Sequence, residues 1–165
     1  RPPPPVQSPP VAPVRPDHAM DPETAMTLTI PQAVFRQMLT AAQAAAPLEA
    51  CGLLAGLGTR VAKCYTLTNA DASPEHFSMK PEEQFAAVKD MRTMRLNMLG
   101  IWHSHPASPA RMSAEDMRLA YTPDVVYVIL SLAGPGAPHT RAFEVRDNIA
   151  HEIPVSIEEK DGEPA

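Results

Sequence analysis

The chain has 165 residues, enough for one compact domain and a tail, and its 44% of hydrophobic residues can build an ordinary globular core. A formal net charge of -5 with no basic stripe excludes a protein that tracks nucleic-acid phosphates. No apolar run reaches the roughly 20 residues that a membrane-spanning helix needs; the expected location is the cytoplasm, with neither nucleic acid nor membrane as partner.

Residues 1–25 open with "RPPPPVQSPPVAPVRP", and nine of the twenty prolines fall here. Proline lacks the backbone donor that helices and sheet interiors use, so this segment is expected to be a disordered arm or linker. The domain is expected over 26–157, with a polar, frayed tail over 158–165. Its first element is "MTLTIP" (26–31), where threonine alternates with apolar residues as in a half-buried strand. A helix over 31–46 follows, opened by Pro31, with Val34, Phe35, Met38, Leu39 and Ala42 at helical spacing. Pro47 ends it.

"CGLLAGLGTRVAKCY" reads as a hairpin turning at Leu57-Gly58, which sets Cys51 opposite Cys64, as small buried thiols rather than a disulfide. The loop "NADASPEH" then leads into a short extended stretch, "HFSM" (76–79). A second helix is expected over 81–97, acidic early and basic late, with Phe85, Val88, Met91 and Leu96 on its apolar stripe. Its methionines fall on that stripe and read as core filling rather than copper ligands. "MLGIWHSH" is a strand, "SAEDMRLAYT" a short helix, and "VVYVILSL" a buried strand by its unbroken apolar run. Two last strands, about 139–147 and 149–157, complete a single α/β (α+β) domain with a central mixed sheet flanked by helices.

Chemistry concentrates in "IWHSHPASPARMSAEDM" (101–117). Residues i and i+2 of a strand face the same side, so His103 and His105 can converge, and Pro106 puts them at the strand's end. Asp116 lies in the first turn of the next helix, behind a loop short enough to bring it back. Two imidazoles and a carboxylate leave the fourth tetrahedral position open, as catalytic zinc requires. The same residues admit a plainer reading, in which Ser113 and Asp116 form a helix capping box and the histidines are merely hydrogen-bonded. Glu49, in "PLEACGLLAG" (47–56), precedes a strand of small apolar residues. Beside a metal it could act as general base; at an exposed strand end it would only form a salt bridge.

Together these segments resemble the JAMM (MPN-plus) metalloprotease family, whose signature is a glutamate, then H-S-H-P, six residues, and S-x-x-D. Here these are Glu49, His103-Ser104-His105-Pro106, six residues, and Ser113-Ala114-Glu115-Asp116. The resemblance implies a cytidine-deaminase-like three-layer arrangement and one Zn2+ per chain, held by His103, His105 and Asp116. It implies Glu49 as general base and Ser113 as donor to the oxyanion, with Ser104 structural. The short loops make the chain similar to compact bacterial members that trim ThiS- or MoaD-type sulfur carriers after a C-terminal Gly-Gly. The expected activity is thus a zinc peptidase or isopeptidase acting on a ubiquitin-like carrier, whose extended tail could add as a strand beside 76–79. The alternatives are a non-catalytic MPN scaffold, a cysteine hydrolase using Cys51 with His103, and a cell-wall or phage-tail peptidase.

Overall fold

The computed structural model describes residues 26–159; the proline-rich arm and the last six residues lie outside the described part. In chain order the elements are β1 (Leu28–Pro31), α1 (Gln32–Ala45), β2 (Cys51–Leu57), β3 (Arg60–Leu67), α2 (Pro81–Thr93) and β4 (Asn97–His105). They continue with α3 (Ala114–Leu119), β5 (Val126–Ser131), β6 (His139–Arg146), β7 (Ile149–Ile153) and β8 (Val155–Glu158). The eight strands form one sheet in the order β7-β6-β5-β4-β2-β3-β1-β8. Parallel pairs (β4 with β5, and β1 with β3 and β8) sit among antiparallel ones, so the sheet is mixed as expected.

The helices cover both faces. Val34, Met38 and Ala42 of α1 recur every four residues and pack with Leu54, Trp102 and Val128 into the main core. Ala87 and Met91 of α2 close the other face over Leu53 and Ala55. A third apolar cluster, Ala110, Ile129 and Phe143, covers the β5–β6 side. β4 and β5 lie mid-sheet, and the second half of β4 is buried from Trp102 to His105. This central position fixes the strand end from which the histidines project.

Four expectations need correction. The β2–β3 turn falls at Gly58-Thr59, with Leu57 opposite Arg60, and a bulge at Ala55/Gly56 shifts the register. Cys51 therefore pairs with Leu67 and Cys64 with Leu54, and both thiols are free. Moving the turn by one residue shifts the pairing by two, and the bulge inserts one more, so ideal hairpin arithmetic fails. The second helix stops at Thr93, and Arg95 adopts a left-handed φ of 56° that turns the chain into β4. Leu96 thus lies beyond the helix, and Phe85 is 72% exposed rather than buried on its stripe.

The stretch 76–79 is not a strand of the sheet; only Met79 pairs, in an isolated bridge to Asn69. Finally, the expected strand over 149–157 is two. Pro154, unable to donate to a ladder, interrupts it, and β8 pairs with β1 at the far edge from β7. Since one residue separates strands on opposite edges, the sheet coils until those edges meet.

Gly52 of β2 is a point where the packing admits no side chain. A Cβ there would lie 1.9 Å from the Tyr65 carbonyl oxygen and 2.5 Å from Trp102 Nε1. Gly52→Ala is expected to cost about 3 kcal/mol or more, since backbone must move. A urea midpoint within error of the native value would contradict this packing.

Candidate metal centre

The site is built at the end of β4. His103 and His105 face the side of the sheet that carries Leu53, Ile101 and Ile129, between the two smaller apolar clusters. The chain after Pro106 loops out and returns as α3. Ser113 caps that helix by accepting from the Asp116 amide at 3.0 Å, and its own amide donates to Asp116 Oδ2 at 2.9 Å. The capping box therefore exists, and the same geometry aims Asp116 at the histidines. The two readings of Ser113-x-x-Asp116 are compatible.

His103 Nε2 lies 3.2 Å from Asp116 Oδ1, His105 Nε2 lies 3.1 Å from Asp116 Oδ2, and the two Nε2 atoms are 3.0 Å apart. All three residues are buried. Donors bound tetrahedrally at roughly 2.0–2.1 Å stand about 3.3 Å from one another, so the three groups are nearly spaced for such an ion. They fit zinc by donor type as well, two imidazole nitrogens and one carboxylate. The group of His103, His105 and Asp116 is the metal-capable cluster among the described residues.

The surroundings hold these three side chains in place. His105 Nδ1 bonds the Pro109 carbonyl at 2.8 Å, an outer contact that orients a ligating imidazole. His103 Nδ1 is buried without a partner among the described residues, and its ring is instead stacked on Phe77, centroids 4.8 Å apart and 28° between planes. Burial holds His103 below the ordinary histidine range against the pull of Asp116. At His105 burial works in the same direction, but the bonds to Asp116 and Pro109 outweigh it and raise the ring. Burial also opposes ionisation of Asp116, yet the two histidines hold its carboxyl well below the usual carboxylate range. A cation held between them would neutralise the buried anion and be bound by the converging nitrogens.

Glu49 borders the same cleft, of about 600 Å³, as His105 and Ser113. Its Oε1 is buried with no hydrogen-bond partner among the described residues. Burial pushes its carboxyl up to about 7, against the opposing pull of His105. An unpaired buried carboxylate is costly unless something at the site uses it, so the exposed salt-bridge reading of Glu49 does not hold.

The sequence marks Ser104 as structural but gives no sign of Asn69 or Ser73, which with it hold the backbone around Glu49. Its amide donates to the Ser73 carbonyl at 2.9 Å, and its carbonyl accepts from Asn69 Nδ2 at 3.1 Å. Next to it, the Ala50 amide donates to Ser104 Oγ at 2.8 Å while the Ser104 amide donates to the Ala50 carbonyl at 2.9 Å. Ser104 thus ties the glutamate's neighbour to the strand that carries the histidines. Its position between them was visible, but its partner 54 residues away was not. Ser104→Ala leaves a buried amide unpaired and should cost about 1–3 kcal/mol. It should also lower turnover with metal content intact; native turnover would show that Glu49 is positioned without it.

Residues 31–146 match the family described as prokaryotic homologs of the JAB domain. The chain is 32% identical over 139 residues to a CysO-cysteine peptidase of Mycobacterium tuberculosis, covering 83% of this chain and 95% of that one. It is 34% identical over 108 residues to a desampylase of Pyrococcus furiosus, covering 66% and 76% of the two chains. Among solved structures, a protein of Desulfitobacterium hafniense is similar with a TM-score of 0.74 and 47% identity, over 82% of this chain and 94% of that one.

Proposed function

The chain belongs to the prokaryotic homologs of the JAB domain, and from that premise we propose a zinc-dependent peptidase that cuts after the C-terminal Gly-Gly of a ubiquitin-like sulfur carrier. The observation that carries this reading is the unpartnered buried Glu49 carboxylate on the cleft shared with His105 and Ser113. The similar proteins named CysO-cysteine peptidase and desampylase support a peptidase acting on small carrier-type proteins. A non-catalytic scaffold would have no use for a costly buried carboxylate beside a complete ligand set.

His103, His105 and Asp116 would hold the ion. When bound there, zinc supplies Lewis acidity that makes water a nucleophile near neutral pH and polarises the scissile carbonyl. Glu49 takes the proton from the attacking water and passes it to the leaving amine. Its anchored main chain limits how far the carboxylate can stray from that water. The Ser113 oxygen accepts from the Asp116 amide, which leaves its hydroxyl proton free to donate to the oxyanion.

The carrier's extended tail has a place to lie. A groove of about 420 Å³ runs beside the cleft between 76–79, α3 and Tyr127, and it shares His76 and Glu115 with the cleft. Tyr121, 80% exposed, borders this groove.

The test is to incubate the protein with a ThiS/MoaD-type carrier extended by a few residues past Gly-Gly and follow its intact mass. Trimming to the Gly-Gly end, abolished by a strong chelator, is expected. An untouched carrier in the presence of zinc-loaded protein would discard this substrate.

A further inference from the structure

The two histidines of the metal centre are held in different ways. His105 Nδ1 bonds the Pro109 carbonyl at 2.8 Å, the outer bond by which a protein usually fixes the plane of a metal-binding imidazole. His103 has no such bond, for its Nδ1 is buried without a partner among the described residues. The ring is 1% exposed, and it presents Nε2 to Asp116 and His105 with no polar contact behind it.

An aromatic ring stands where that bond would be. Phe77 lies on His103 with centroids 4.8 Å apart and 28° between planes, within the stacked geometry that aromatic pairs favour. A ring laid on the imidazole restricts rotation about its Cβ–Cγ bond, the motion that would swing Nε2 away from a shared ion.

Phe77 belongs to the segment between β3 and α2, and that segment is braced at this residue. The Asn69 side chain bonds the peptide groups on both sides of Phe77. Its Nδ2 donates to the His76 carbonyl at 3.0 Å, and its Oδ1 accepts from the Ser78 amide at 3.3 Å. The Ala70 amide donates to the Ser78 carbonyl at 2.8 Å and closes the neck of the loop. Asn69 Nδ2 also donates to the Glu49 carbonyl at 3.1 Å. One side-chain amide thus ties the backbone of Glu49 to that of Phe77, and the ring that bears on His103 has a fixed base.

We propose that Phe77 is a positioning residue for the metal, whose stacked ring, braced by Asn69, orients the ligand His103 in place of a hydrogen bond to Nδ1. The proposal rests on the zinc reading above and adds what sets how tightly the ion is held. Bulk alone would not serve, because an aliphatic side chain fills the space but offers no flat face to the imidazole.

The experiment measures zinc affinity by competition with a chromogenic chelator, for the native chain and for Phe77→Leu, Phe77→Ala and Phe77→Tyr. Thermal unfolding of each metal-stripped protein checks that it folds, and Phe77→Ile replaces Phe77→Leu if that variant does not. Phe77→Leu is expected to weaken zinc binding by about tenfold, the lower end of the usual cost of losing an outer contact to a metal-bound histidine. Phe77→Ala should weaken it at least as much. Phe77→Tyr keeps the ring, and its hydroxyl has open space nearby because Phe77 borders the groove of about 420 Å³; native affinity is expected. A role in packing alone would spare Phe77→Leu and weaken only Phe77→Ala. Native affinity in Phe77→Leu, or weakened binding in Phe77→Tyr, overturns the proposal while the zinc site and the peptidase reading stand. Failure of the native protein to bind zinc removes both.

Discussion

Glu49→Gln should reduce turnover by about 10²–10⁴-fold, the usual contribution of a positioned general base, while the protein still binds one zinc. The amide has nearly the shape of the carboxylate it replaces but cannot take up a proton. Glu49 is absent from the ligand cluster of His103, His105 and Asp116, so the metal has no reason to leave. Nor should folding suffer. The native carboxylate has a buried oxygen without a partner, and an uncharged amide relieves part of the desolvation that pushes this group up to about 7. The variant should therefore be at least as stable as the native chain and nearly inactive. Stability is read from thermal unfolding and activity from carrier cleavage. A Glu49→Gln protein cutting at the native rate would remove Glu49 from the reaction.

His105→Ala should fail at the earlier step. It deletes one of three donors, leaves Pro109 without its bond to the ring, and frees one contact of Asp116. Two remaining protein donors make a poor zinc site, because catalytic sites ordinarily supply three. Bound zinc should fall from one per chain to almost none after dialysis, with activity lost in parallel. A second readout separates metal loss from general damage. A ligand at 1,000 times its dissociation constant stabilises a folded protein by about 4 kcal/mol; added zinc should raise the native unfolding temperature and leave that of His105→Ala unmoved. Retention of stoichiometric zinc by the variant would mean that the ion sits elsewhere.

These expectations were largely legible in the sequence, and the reasons are local ones. Strand alternation puts His103 and His105 on one side whatever the rest of the chain does, and Pro106 marks where the strand must stop. Ser113 and Asp116 announce a helix start by their spacing alone, and the capping geometry that follows points the carboxylate at the imidazoles. What the sequence withheld depends on contacts between distant segments. The turn at Gly58-Thr59 and the bulge at Ala55/Gly56 together change the partners of both cysteines, and no residue type at the bulge demands it.

The split of the last strand at Pro154 has a visible local cause, but the destination of β8 beside β1 depends on how far the sheet coils. Asn69 reads as an ordinary loop residue in "NADASPEH", and only the folded chain brings Glu49 and His76 to its amide. Phe85 shows the converse error. Helical spacing places it on an apolar stripe, although α2 buries only Ala87 and Met91 and leaves the ring in solvent.

The measurement closest to the central claim is a zinc titration of chelator-stripped protein, scored by carrier cleavage and by bound metal in the same samples. The account predicts no cleavage without metal, a linear rise with added zinc, and a plateau at one equivalent per chain. Cleavage by the stripped protein, or full zinc binding that brings no cleavage of any Gly-Gly-extended carrier, would contradict it.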